Sequence, residues 1–185
     1  MSQPQRRYSL ADYFAIEAMS PVRHEFYRGE IFAMAGASVE HNLITVNVLT
    51  TLHSAFRRTR CKVFGSDLRV TTPGGLYTYP DVSVICGKVA LVSGAPDTAT
   101  NPVLLVEVLS EATRDYDRDE KFELYKTIST LREYLLLDQD RPAADHFTRR
   151  RESWTQSTTA SISSKVSLGC VKVELSLREV YRGVF

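Results

Sequence analysis

The chain has few cysteines, and none is placed for a metal or redox motif. Only three occur, Cys61, Cys86 and Cys170, far apart and with no C-x-x-C pair. That spacing excludes a zinc ribbon and a dithiol redox site. An odd count suits a reducing cytoplasm better than a disulfide framework, so a cytoplasmic location and no disulfide framework are expected. No run approaches the roughly 18 apolar residues that cross a bilayer, and the densest, Pro102 to Leu109, is strand-sized; no membrane partner is expected. Met1 to Tyr8 is polar and basic with no apolar segment behind it, which argues against a secretory signal. An excess of one charge is also missing: 23 Lys and Arg face 22 Asp and Glu, for a net charge of +1. A polybasic binder working through bulk charge is therefore excluded, although a local basic face is not. No G-x-x-x-x-G-K-[ST] loop is present, so nucleotide-driven action has no support. Trp154 and the tyrosines show no spacing of the kind that stacks single-stranded bases.

What remains describes an ordinary globular chain. Its 185 residues are 43% hydrophobic and 24% charged, which fits one domain over 1–185. Ser9 and Asp12 form a capping-box pattern before a short amphipathic helix ending near Pro21. Phe26-Tyr27 and Ile31-Phe32 flank Arg28-Gly29-Glu30, which reads as a hairpin. The apolar periodicity of Val39, Leu43, Val46, Leu49, Leu52 and Phe56 predicts a helix from Val39 to Arg57 buried along that stripe, with Ser38 as N-cap. Strands are expected at Cys61–Phe64, Asp67–Thr72, Tyr77–Ile85 and Val103–Leu109, with a loop from Gly87 to Asn101. Asp117 and Glu120 predict a capped helix from Arg118 to Ile128, followed by strands at Glu133–Asp138, Asp145–Thr148 and Val171–Leu175. Thr155 to Lys165 reads as an exposed loop or weak edge strand, and Ser176 with Glu179 as a last capped turn. This order predicts an α/β fold, a mixed β-sheet flanked by helices with an N-terminal helix and hairpin.

Two acids stand out by position. Asp81 interrupts the apolar strand Tyr79-Pro80-Asp81-Val82-Ser83-Val84, and Glu107 interrupts Leu104-Leu105-Val106-Glu107-Val108-Leu109. A carboxylate in a covered sheet loses water and needs a partner. Two of them on neighbouring strands form a hard-oxygen site suited to Mg²⁺ or Mn²⁺. Lys121, one turn into the helix after the second strand, is placed to reach the same space and to stabilise charge during phosphodiester hydrolysis. A blander reading makes Asp81 and Lys121 a structural ion pair with Glu107 bonded to helix amides.

Tyr-Pro-Asp81, then Val-Glu107-Val-Leu-Ser110, Thr113, Asp117, Lys121 and Tyr125 resemble a large bacterial group of putative restriction endonucleases, also described as a domain of unknown function. That group resembles a branch of the PD-(D/E)xK nuclease superfamily. The likeness runs from about Tyr8 to Phe185, includes Glu25, Gly29-Glu30, Met34 and His41, and weakens after Asp140. It implies a restriction-endonuclease-like core, a Mg²⁺ (or Mn²⁺) cofactor and cleavage of nucleic acid, DNA ahead of RNA. The superfamily places lysine two residues after the second acid, where this chain has Leu109; the resemblance implies that Lys121 has taken that role from the next helix. It also implies an extra acid from an early helix or hairpin, with Glu30 first, then Glu40 and Glu25. His41 is an accessory candidate, against its ordinary role as a helix-end hydrogen-bonding residue. Glu30 also reads as a simple turn acid. The clusters Arg57, Arg58, Arg60 and Arg149 to Arg151 read as solvated faces or phosphate contacts. A homodimer is implied only by the habit of such folds. Two rival functions stand beside the nuclease: a non-catalytic nucleic-acid or protein-binding module on the same scaffold, and a hydrolase of smaller phosphoesters.

Overall fold

The computed structural model describes residues 7–185, so most of the basic N-terminal stretch lies outside the described residues. Helix α1 (Leu10–Met19) begins at Ser9, whose hydroxyl accepts from the Asp12 amide while Asp12 accepts from the Ser9 amide, a complete capping box. The hairpin follows as β1 (His24–Tyr27) and β2 (Glu30–Ala33). Tyr27 pairs with Glu30, leaving a two-residue turn in which Arg28 and Gly29 both have positive φ, 50° and 83°. Such a turn matches strand twist and favours glycine at its second position.

Helix α2 (Val39–Phe56) is capped by Ser38, which accepts from the His41 amide at 3.0 Å. It buries Ile44, Val48, Leu52 and Phe56. The expected stripe holds only at Leu52 and Phe56, with Leu49 partly buried; Val39, Leu43 and Val46 are exposed. The helix is apolar on two faces, and a period of 3.6 fits both, so the periodicity alone does not choose the buried one. Each large apolar side chain on the face that wins stabilises the fold by about 1.5–3 kcal/mol.

The strands form two six-stranded sheets and a two-stranded ribbon. β3 (Cys61–Gly65) and β4 (Arg69–Thr71) lie in different sheets. The single strand expected from Tyr77 to Ile85 is divided into β5 (Tyr77–Thr78) and β6 (Val82–Cys86), again in different sheets. Between them lies Tyr79-Pro80-Asp81, where Pro80 has no amide proton to donate to a ladder. The segment read as a loop after Gly87 carries β7 (Leu91–Val92) and β8 (Ala95–Ala99), paired antiparallel around Gly94. The first sheet therefore has the order β2-β1-β5-β4-β8-β7.

The second sheet runs β12-β11-β10-β9-β6-β3, with β9 (Leu104–Leu109) and β10 (Glu133–Asp138) at its centre. All six residues of each are buried, as expected for strands covered on both faces. They run parallel, joined by a crossover of two short helices, α3 (Arg114–Arg118) and α4 (Glu120–Lys126). The capped helix expected from Arg118 is broken at Asp119, with φ −108° and ψ −86°, and no side chain caps it; Asp117 lies inside α3. β11 (Ala144–Arg150) continues the sheet, and β12 (Ser153–Thr159) makes an edge strand of part of the Ser/Thr-rich stretch. β13 (Lys165–Leu168), β14 (Val173–Ser176) and α5 (Leu177–Val180) close the chain.

Two apolar clusters pack the faces of this sheet. α2, α5, β13 and β14 cover Val82, Val84, Leu104, Val106, Leu135 and Leu137. Phe122 and Tyr125 of α4 cover Leu105, Leu109, Tyr134 and Leu136 on the other. Cys61 and Cys86 are cross-strand partners of β3 and β6 and are joined as a disulfide, leaving Cys170 as the free thiol. The expectation of no disulfide is thereby corrected. The register that brings the two together is a tertiary property that their spacing in sequence does not reveal.

Candidate active site

β6 and β9 pair antiparallel with Val82 opposite Val106. Continuing that register by one residue sets Asp81 beside Glu107. The backbone confirms the junction: the Asp81 amide reaches Glu107 Oε2 at 3.3 Å, and the Val108 amide donates to Asp81 Oδ2 at 2.7 Å. Tyr79, two residues earlier and fully buried, fixes the approach by donating to Glu17 at 2.8 Å and accepting from Arg69 at 3.1 Å. The Pro80 interruption thus frees Asp81 from a regular ladder while its neighbours hold it.

Side-chain alternation puts Glu107 on the face shared with Leu105 and Leu109, under α4. Lys121 and Tyr125 project from α4 onto it. Lys121 Nζ lies 3.0 Å from Glu107 Oε1, and the Tyr125 hydroxyl donates to the same oxygen at 2.8 Å. Two further acids surround the ammonium: Glu25 of β1 at 3.1 Å and Asp117 of α3 at 3.2 Å. On the open side His41 Nε2 lies 3.2 Å from Asp81 Oδ2. The first turn of α2, the hairpin, β9, the residue that precedes β6 and the crossover helices therefore converge on one point, at the seam between the two large sheets.

The structure brings Asp81, Glu107, Lys121 and His41 together. Glu107 is bonded by the backbone amide of Asp81, a tyrosine and a lysine, not by helix amides. Among the early acids, Glu25 joins the cluster. Glu30, opposite Tyr27, lies on the same face of the hairpin but two positions nearer the turn; no contact joins it to the cluster among the described residues. Glu40 is exposed in the first turn of α2. Asp117, read from sequence as a helix cap, is a wall of the site; it lies in α3, four residues before Lys121 and across the break at Asp119, and still meets the ammonium at 3.2 Å. Arg57, Arg58 and Arg60 are exposed at the far end of α2, about 25 Å from its first turn at 1.5 Å per residue.

The electrostatics are unbalanced. Glu25, Glu107 and Asp117 face one ammonium while Asp81 pairs with His41, and Glu107, Asp117 and Lys121 are each no more than 5% exposed. Burial pushes the Glu107 carboxyl up to about 8; Lys121 opposes this, while Asp117 and Asp81 add to it. Burial by itself would lower Lys121, but Glu107, Tyr125, Glu25 and Asp117 hold it well above the ordinary lysine value. It is therefore an ammonium. Burial likewise opposes charge on His41, and the bond to Asp81 outweighs it, so the imidazole is raised. Asp117 Oδ1 is buried without a hydrogen bond, its contact with Lys121 being a Coulombic one.

Two adjacent carboxylates and an excess of buried negative charge fit a hard divalent cation. Mg²⁺ takes one or two carboxylates and keeps several waters. Among the described residues no group of three or more His, Cys, Asp or Glu is placed to hold a metal ion, and the candidate donors are the pair Asp81 and Glu107.

Comparisons with known proteins agree with this architecture. Residues 10–178 match the family described as Uma2, Putative restriction endonuclease. An uncharacterized protein of Synechocystis, sll1609, is 36% identical over 140 residues, covering 75% of this chain and 79% of its own. A second Synechocystis protein, slr1290, also uncharacterized, is 30% identical over 184 residues, covering 99% and 96%. The crystal structure of a putative nuclease belonging to DUF820 from Anabaena variabilis superimposes with a TM-score of 0.74 at 16% identity, over 90% of this chain and 93% of that one. At that identity the likeness speaks for the fold. No helix among the described residues is long and apolar enough to cross a membrane.

Proposed function

The chain belongs to the Uma2 family of putative restriction endonucleases, and on that premise we propose that it is a Mg²⁺-dependent endonuclease that hydrolyses phosphodiester bonds of nucleic acid, DNA ahead of RNA. The observation that carries this reading is the acid surplus at the seam of the sheets, where Glu25, Glu107 and Asp117 close on one ammonium and Asp81 is joined to Glu107 through its backbone amide and to His41. A buried surplus of that kind is costly unless a cation offsets it.

Asp81 and Glu107 would hold the cation, with Mn²⁺ able to replace Mg²⁺. When bound, it supplies neutralisation of phosphate charge and acidification of a water. The chain's own residues do the rest. Tyr125 and the Asp81 amide fix the two oxygens of Glu107. The Val108 amide and His41 fix Asp81 Oδ2. Lys121, kept protonated by its acid neighbours, is a donor and not a base; its role is to orient the attacking water and stabilise negative charge that builds on the phosphate. The water oxygen bonds to phosphorus as the water's proton passes to solvent, the bond from phosphorus to the leaving sugar oxygen breaks, and that oxygen takes up a proton from solvent.

Calorimetry with Mn²⁺, paired with a panel of duplex, single-stranded and flapped DNA, RNA and nucleotides, tests the proposal. Mn²⁺ should bind the wild-type chain, and Glu107→Ala should abolish that binding. Lack of binding at millimolar Mn²⁺ would favour a non-catalytic module. Turnover of nucleotides but no polymer would favour a hydrolase of smaller phosphoesters.

A further inference from the structure

The four carboxylates differ in what holds them. Glu107 comes from β9 of the second sheet and Asp81 from the residue just before its neighbour β6, and the two are linked through the backbone amides of Asp81 and Val108. Glu25 comes from the other sheet, is buried, accepts from Thr78 Oγ1, and acts on the Tyr116 hydroxyl, whose pKa it helps to raise. Asp117 lies in α3, four residues before Lys121, with Oδ1 buried and making no hydrogen bond. No hydrogen bond joins Glu25 or Asp117 to Asp81 among the described residues. Lys121 Nζ is shared between the sets, bridging Glu107, Glu25 and Asp117 within 3.2 Å.

Glu107 cannot serve a divalent cation and the ammonium equally, because two positive charges on one buried carboxylate repel at short range. We propose that Glu25 is a positioning residue, which with Asp117 retains the Lys121 ammonium beside the site while Asp81 and Glu107 are committed to the cation. This rests on the metal-dependent reading above. It separates the acids into a cation pair and a lysine cradle. The hairpin thus acts at the site by holding the lysine and contributes no cation ligand. Thr78 serves the cradle by fixing the Glu25 carboxylate.

The test uses the full chain and its Glu25→Gln variant, with two readouts independent of cleavage. Calorimetry measures Mn²⁺ affinity, and acylation by an N-hydroxysuccinimide ester followed by peptide mass analysis measures access to Lys121. Wild-type Lys121 should stay protected with and without Mn²⁺. In Glu25→Gln the Mn²⁺ affinity should stay within about threefold of wild type. Its Lys121 should be protected without Mn²⁺, because Glu107 and Asp117 still hold it, and should acylate about tenfold faster with Mn²⁺ than the wild type does. Glu25→Asp should restore part of the protection. A loss of Mn²⁺ affinity of about tenfold or more in Glu25→Gln would overturn the division, by making Glu25 a cation ligand. So would Lys121 acylation unchanged by Mn²⁺ in that variant. If the wild-type chain itself binds no Mn²⁺, the metal reading fails and the cradle with it, an outcome distinct from failure in the variant alone. Should Glu25→Gln not fold, Thr78→Val decides: it removes the donor to Glu25 while keeping shape, and it should expose Lys121 in the same Mn²⁺-dependent way; protection equal to wild type would overturn the cradle.

Discussion

Replacing Lys121 by methionine removes the ammonium shared by Glu25, Glu107 and Asp117 while keeping most of its volume. Lys121 is 5% exposed and within 3.2 Å of three carboxylates. Breaking a buried pair from one side typically costs about 3–5 kcal/mol, because the remaining charge is left uncompensated. For a chain of this size, 1 kcal/mol moves Tm by about 2–4 °C, so Lys121→Met should lower it by about 6–20 °C in the presence of a chelator. Mg²⁺ should return much of that loss. A cation at a hundredfold excess over its Kd contributes about 2.7 kcal/mol, and with the competing ammonium gone the acids should bind it more tightly than in the wild type. Differential scanning calorimetry at neutral pH, with chelator and with Mg²⁺, measures both effects. Lys126→Met is the control, since Lys126 pairs with a largely exposed Glu123 and such pairs contribute about 0.3–0.5 kcal/mol. The reasoning is refuted if Lys121→Met unfolds within about 1 kcal/mol of wild type in chelator, or if Mg²⁺ stabilises it less than it stabilises the wild type.

Asp138 gives a pH prediction. Burial pushes its carboxyl up, but bonds from Arg114, the Asp140 amide and Arg141 outweigh this and hold it below the ordinary aspartate value. A carboxyl lowered on folding contributes stability above its unfolded value, and that contribution is lost as pH falls through the folded value; thermal scans from pH 7 to pH 3 should show a shallower acid decline in Asp138→Asn. The Cys61–Cys86 disulfide closes a loop with a sequence separation of 25, so reduction should cost about 3–4 kcal/mol, and unfolding in urea with and without reductant would reveal an unchanged midpoint if that is mistaken. Arg57→Ala and Arg58→Ala, at the far end of α2, should leave kcat unchanged, whereas a fall of about tenfold or more would place them in the reaction.

Local chemistry made part of this legible in the sequence. Ser9 with Asp12, the Arg28-Gly29 turn and the Ser38 cap each satisfy backbone demands within four residues, and all appear where expected. Glu107 was visible because a lone charge in a covered apolar strand is costly wherever the strand lies. The missed features depend on which distant surface each element meets. α2 carries apolar residues on two faces, and only packing against β6, β9 and α5 selects Ile44 and Val48 over Val39 and Val46. Glu25 and Glu30 lie on one face of the same hairpin, so spacing alone does not tell which meets Lys121; the position of β1 beside β5 settles it. The break at Asp119 reflects the crossover between two parallel strands and has no mark in the local sequence. β7 and β8 are short, and Gly94 and Pro96 punctuate them as they would a loop.

Cleavage of plasmid DNA by purified protein asks whether Asp81 and Glu107 form the cation site of a phosphodiester hydrolase. The wild-type chain should cut with Mg²⁺ or Mn²⁺ and fail to cut in chelator. Asp81→Ala should retain the wild-type fold by circular dichroism and lose cleavage by at least about a hundredfold. Cleavage undiminished in Asp81→Ala, or unchanged by chelator, would contradict the account.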